Sequence, residues 1–330
     1  EEKEKEEVAG FGIGLFDPGR EEDFKELMAN LPPVKLLRKA VETLDEAILS
    51  KENIVFLIER SPTDEELEAI HEAVEKGVNI SKQDTYIGAL HGITRIRDRL
   101  TCWLFTRTFQ QPLIELEDEI QILFEAFFEL RESPRLKGCL SAILSFGNFM
   151  NAGSSRGQAD GFKMEALEVV IDVRDTKNSQ SLLEFLVHVL QDTNPDALQI
   201  KNDFDCLPGA SEFELSASEQ TLKDLWAEYN EIKRMSKLFT DQPFKKHFEP
   251  LLNDARQTLV VLNQRMKETK LRFQEVVEYF APNLPKYVRE MTSKRFLGVF
   301  VDFIEALDQE QQRLKQRSAD RGKRLFETSS

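Results

Sequence analysis

The side chains best suited to bind a metal or act as a base or nucleophile are four histidines and three cysteines. Their spacing supports none of these uses. His71, His91, His188 and His247 are scattered along the chain. Glu68 and His71 form a single Glu-x-x-His pair, whereas a di-iron helical site needs two such pairs and further carboxylates. An exposed helix histidine is the simpler account. Cys102, Cys139 and Cys206 are odd in number and far apart, which gives neither a disulfide framework nor a metal spacing. Gly10, Gly12 and Gly14 follow a Glu/Lys run instead of a strand and lack the GxGxxG pattern of dinucleotide binding. The glycine-bearing loop at 153–161 lacks the Gly-Lys-Ser/Thr of a phosphate loop. The expectation is therefore no enzyme, no cofactor and no metal.

What remains is the chemistry of contact, concentrated in residues 138–164, GCLSAILSFGNFMNAGSSRGQADGFKM. Leu140, Ile143, Leu144 and Phe146 form an apolar helix. Gly147 inside it costs roughly 1 kcal/mol relative to alanine, and close approach of another backbone or a bulky side chain is the usual reason. Asn151 can end the helix in a left-handed conformation. A polar loop with Gly153, Gly157 and Gly161 follows, and Phe162-Lys163-Met164 opens a new apolar segment. Arg156 and Lys163 place positive charge beside a notch in a helix surface. This pattern suits docking of another chain.

The elements that must position this stretch are helical. Residues 1–15 read as an acidic linker followed by a glycine-rich loop. Phe24, Leu27, Met28 and Leu31 share one helix face. Pro32-Pro33 precede an amphipathic helix at 34–49, and 50–60 reads as a shorter one. Thr63 and Glu66 form a capping box for a helix at 63–76 that Gly77 ends. These short helices make a bundle over 16–92. Long helices follow over 93–132, where Leu113, Leu116, Ile120, Leu123, Phe127 and Leu130 form a heptad stripe. A second lobe spans 133–212. Long helices return over 213–317, with a regular stripe of Phe248, Leu252, Ala255, Leu259, Leu262, Met266, Thr269, Phe273, Val276 and Phe280. A last helix covers 296–314, and 318–330 reads as a frayed basic tail. The expected fold is all-α and elongated: a helical bundle, an antiparallel coiled-coil stalk pairing the two stripes, and a second helical lobe.

Composition narrows the partners. The chain has 330 residues, a net charge of −15 and three free-standing cysteines. Nucleic-acid binding normally needs a basic face, and an acidic chain is disfavoured at anionic membranes. No apolar run approaches the ~20 residues that span a bilayer. A reducing compartment fits the cysteines, so the expected location is the cytoplasm.

GNFMN at 147–151, GFKM at 161–164 and DVRDTKNSQSLLEFLVHVL at 172–190 together resemble the formin-homology-two domain of formins. ITRIRDRLTCWLFTRTF at 93–109 extends the likeness upstream, which covers about residues 16–325. The resemblance implies a knob, a coiled-coil stalk and a post, and a cytoskeletal protein that nucleates or elongates actin filaments at barbed ends. It implies a homodimer, if the full protein carries the lasso by which one subunit wraps the post of the other. Gly147, Asn148, Phe149, Asn151, Gly161 and Phe162 would then receive the lasso. Arg20, Phe24, Arg156 and Lys163 would contact actin. Phe24 stands where the family has an isoleucine, and Glu21, Glu22 and Asp23 add negative charge there. Phe280-Ala281-Pro282-Asn283 replaces the family's Phe-Gly-Glu-Asp. The lasso's usual tryptophan is not found, because Trp103 and Trp226 lie in helices. The alternative is a dimerisation or scaffolding module on the same fold with weak or no actin assembly activity.

Overall fold

A computed structural model describes residues 14–16, 18–154, 157–174, 180–281 and 291–327. Among these residues there are fourteen α-helices and no strand beyond an isolated bridge between Arg174 and Ser181. The all-α expectation holds. Two compact units divide the chain.

The first unit comprises residues 1–114 and 224–260. Its bundle contains α1 (Pro18–Asn30), α2 (Val34–Thr43), α3 (Lys51–Arg60), α4 (Asp64–Glu75), α5 (Lys82–Gly88) and α6 (Ile96–Thr108). Phe24, Leu37, Ile54, Ile87, Leu100 and Trp103 share one core. Helix α6 therefore belongs to the bundle, although its sequence reads as the start of the long-helix region. The capping box forms as expected: Glu66 N–H donates to Thr63 Oγ1 at 3.1 Å and Thr63 N–H donates to Glu66 Oε2 at 2.8 Å. Gly77 takes φ +73°, the left-handed end that glycine allows. Helix α2 stops earlier than its pattern suggests, because Leu44 adopts φ 56°.

The second unit comprises residues 115–223 and 261–330. Its elements include α8 (Pro134–Met150), α9 (Ala166–Asp172), α10 (Leu182–Thr193), a 3₁₀ segment (Pro195–Asp203), α11 (Leu207–Ala210) and α14 (Ser293–Glu327). Helices α7 (Gln110–Glu132), α12 (Leu215–Ser236) and α13 (Gln242–Phe280) each have residues in both units. Helix α14 runs to Glu327, so the segment read as a frayed tail is helical over most of its length. Glu214 caps it, accepting from Ser293 and Lys294 N–H at 3.3 Å each.

The heptad residues of α7 are all buried. Within the second unit they meet α13: Phe127 lies 5.0 Å from Phe273, and Arg265 donates to Glu117 at 2.8 Å. Arg131 donates to Glu275 at 3.2 Å. The residue numbers rise together, so α7 and α13 run in the same direction. The antiparallel pairing expected between these two stripes is not what forms. Pro250 lies inside α13. No helix among the described residues is long and apolar enough to cross a membrane.

Candidate functional site

Helix α8 carries the contact stretch, and its start is firmly held. Ser133 Oγ accepts from Leu136 N–H at 3.0 Å and donates to Asp203 at 2.7 Å, and Arg135 pairs with Asp203. Gly138 lets α8 pack closely, since a Cβ there would lie 2.8 Å from the Asn194 side-chain amide and 3.3 Å from the Ala197 methyl. Leu136, Cys139 and Ile143 face the core.

Gly147 is different. A Cβ built on it meets nothing within 4 Å. Among the described residues the close approach its position suggests is not made, and the space beside it is open.

Asn151 does not end α8 in the left-handed region; its φ is −95°. Its side-chain amide donates instead to Gly147 C=O at 2.8 Å. The left-handed turn falls two residues later, at Gly153 with φ +82°. Asn148 has the role the sequence did not reveal. Its Nδ2 donates to Ala159 C=O at 2.9 Å, and its Oδ1 accepts from Ala159 N–H at 2.7 Å. This two-point bracket fastens the far side of the loop to the helix. Gly157 lies so near Asn151 that a Cβ would sit 2.7 Å from its carbonyl oxygen.

The result is a pair of shallow apolar grooves on either side of Phe146. One, of ≈ 390 Å³, is lined by Gly147, Asn148, Asn151, Gly161, Phe162 and Val169 among others. The other, of ≈ 400 Å³, lies between Phe149, Met150, Val173 and Phe185. Phe149 is 76% exposed and Met150 is 66% exposed. Large apolar side chains so exposed and so close mark an interaction surface. Val173, Phe185 and Met150 are members that motif reading did not pick out; the signal was the run of apolar residues on both sides of the polar stretch 175–179. Lys163 is exposed, and among the described residues no carboxylate pairs with it.

The remaining candidates are placed otherwise. Arg156 lies outside the described residues. Arg20 is held inside the first unit: its Nε and Nη2 donate to the two Glu66 oxygens at 2.8 Å each, and Nη1 donates to Asp23 at 2.9 Å. The hydrogen bond to Glu66 holds the guanidinium above its ordinary pKa, outweighing burial. Phe24 is 0% exposed, with the Phe16 ring edge-on at 5.6 Å and the Arg20 guanidinium 4.8 Å from its centroid. The resemblance implies an actin contact at this position, and the helix face that Phe24 shares with Leu27 places its ring in the core of the first unit.

Known proteins give the same answer as the motif. A family model described as the Formin Homology 2 Domain matches residues 2–308. The chain is 26% identical over 324 residues to Formin-G of Dictyostelium discoideum, covering 94% of this chain and 30% of that protein. It is 29% identical over 280 residues to Formin-C of the same organism, covering 82% of this chain and 24% of that protein. It is 22% identical over 293 residues to protein diaphanous homolog 3 of Homo sapiens, covering 87% of this chain and 24% of that protein. The chain thus spans a third or less of these relatives' lengths. Since the family model takes in nearly all of its sequence, the chain belongs to the Formin Homology 2 Domain family.

Proposed function

We propose that this chain binds actin at filament barbed ends and influences filament assembly there, by nucleation, elongation or capping. The observation that carries the reading is the surface built by Phe146, Gly147, Asn148, Phe149, Met150 and Phe162. It joins open apolar grooves and an exposed Phe149 at the end of α8, with Phe162 lining one groove and its neighbour Lys163 exposed and, among the described residues, without a carboxylate partner. Membership of the family supports it.

The mechanism is contact, steric and electrostatic. Lys163 faces an acidic actin surface, and an exposed charge of this kind contributes orientation and association rate more than affinity. The grooves beside Gly147 receive an apolar segment of a second copy, giving a homodimer in which two grips act on neighbouring actin subunits.

The test is an assembly assay with fluorescently labelled actin, comparing the wild type with Lys163→Asp, alongside molecular mass in solution. The expected result is altered elongation by the wild type and a weaker effect of the variant. No effect of micromolar wild-type protein on elongation would refute the reading.

A further inference from the structure

The turn joining α12 to α13 carries charge opposite to that of the chain. Residues 233–246 contain five cations, Lys233, Arg234, Lys237, Lys245 and Lys246, and one carboxylate, Asp241, in a chain of net charge −15. Asp241 is already paired with Arg99 at 2.8 Å. Among the described residues none of the five cations has a carboxylate partner; Lys233 lies 5.7 Å from the Tyr229 ring.

Two of these cations suit their helix. Lys233 and Arg234 sit in the last turn of α12, where the backbone dipole favours positive charge. Lys245 and Lys246 sit at the start of α13, where the dipole opposes it. Asp241 caps this helix by accepting from Phe244 N–H at 3.4 Å, yet among the described residues the surrounding cations have no carboxylate partner, and a cluster left so points to a partner outside the protein. Leu238 stands among the cations and is 51% exposed. Beneath the turn Phe239, Phe244 and Phe248 are buried, so the patch rests on a fixed base.

We propose that this turn docks an acidic patch of an actin subunit, with Leu238 at the centre and the cations around it. The inference rests on the actin-binding reading above and adds a contact surface to it. An anionic membrane or a nucleic-acid strand extends well beyond so small a patch and would meet the chain's excess carboxylates, whose repulsion acts over about 10 Å at moderate salt. A compact acidic protein surface avoids them.

The experiment is co-sedimentation with actin filaments at low and at physiological ionic strength. It compares the wild type with the triple variant Arg234→Glu, Lys237→Glu, Lys246→Glu. All three side chains are exposed, so helicity and melting temperature should be retained. A neutral version with glutamine at the same positions covers the case in which reversal disturbs folding. The expected result is binding about tenfold weaker at low ionic strength for the reversed variant, with a flatter salt dependence, and an intermediate loss for the neutral one. Wild-type affinity and salt dependence in either folded variant overturn the inference while leaving actin binding intact. Failure of the wild type itself to sediment with filaments overturns the underlying reading, and this inference with it. Unchanged filament binding with lost binding to phosphatidylserine vesicles overturns it in favour of a lipid surface.

Discussion

Arg99 and Asp241, 142 residues apart, form a two-pronged ion pair: Nη2 donates to Oδ1 at 2.8 Å and Nη1 to Oδ2 at 3.1 Å. The Arg99 side chain is almost wholly buried, with its guanidinium 4.8 Å from the Phe244 ring centroid and 5.4 Å from that of Phe239. The pair fastens α6 to the turn before α13. Arg99→Met should lower unfolding stability by about 3 kcal/mol. Removing one partner of a buried pair leaves the other uncompensated, and the partial exposure of Asp241 moderates the loss. Denaturant melts of both proteins check this.

The same pair predicts an acid limit. Burial pushes the Asp241 carboxyl up, but the Arg99 guanidinium and the Phe244 N–H outweigh it and hold the group below its ordinary value of 3.8. Burial likewise pushes Glu214 up, and the Lys294 N–H with the Ser293 and Thr292 side chains hold it below 4.5. A carboxylate whose folded pKa is depressed contributes stability above its unfolded pKa and loses it as pH falls through the folded one. The melting temperature should therefore drop on acidification below about pH 4. Asp241→Asn should lower it at neutral pH and flatten its fall in acid.

Phe24→Ala should cost about 3–5 kcal/mol, the usual loss for a buried aromatic. Phe24→Ile should cost less and leave filament binding unchanged, because position 24 has no exposed surface. Melts paired with co-sedimentation read both; a change in filament affinity at unchanged stability would show that the ring reaches a partner.

Asn148→Ala should loosen the 152–160 loop while barely moving global unfolding. It removes both hydrogen bonds to Ala159, worth about 1 kcal/mol each. Hydrogen exchange at the Ala159 amide is the direct readout, and it should speed up sharply in the variant.

Gly147→Ala should behave unusually for a change at a motif position. The added methyl meets nothing among the described residues, so the helix should gain up to about 1 kcal/mol. If a second copy occupies the groove, self-association should weaken at the same time. A melt and a sedimentation-velocity run on one sample separate the two effects.

The sequence announced features whose cause is local. Thr63 and Glu66 are three residues apart, so their capping box was readable, as was Gly77 at the helix end. The stripes of α7 and α13 are periodic, and their burial followed. Partners far apart in the chain left no such trace. Nothing near Arg20 announced that Glu66 would claim both its prongs, and nothing near Asn148 announced Ala159. The direction of α7 against α13 is not legible in the sequence, because a heptad stripe says which face is buried, not which way the neighbour runs. The contact stretch itself was legible in composition. Its true breadth, with Met150, Val173 and Phe185 included, depended on how α10 returns alongside α8.

Pro250 has no amide hydrogen, so the Lys246 carbonyl lacks the donor that an unbroken α13 would supply. The opening two turns, 242–249, are thereby joined to the remainder by a ladder short of one bond. Their order depends on the Phe244 and Phe248 rings seated below them. Were those rings withdrawn, this short piece would be the first part of α13 to unwind.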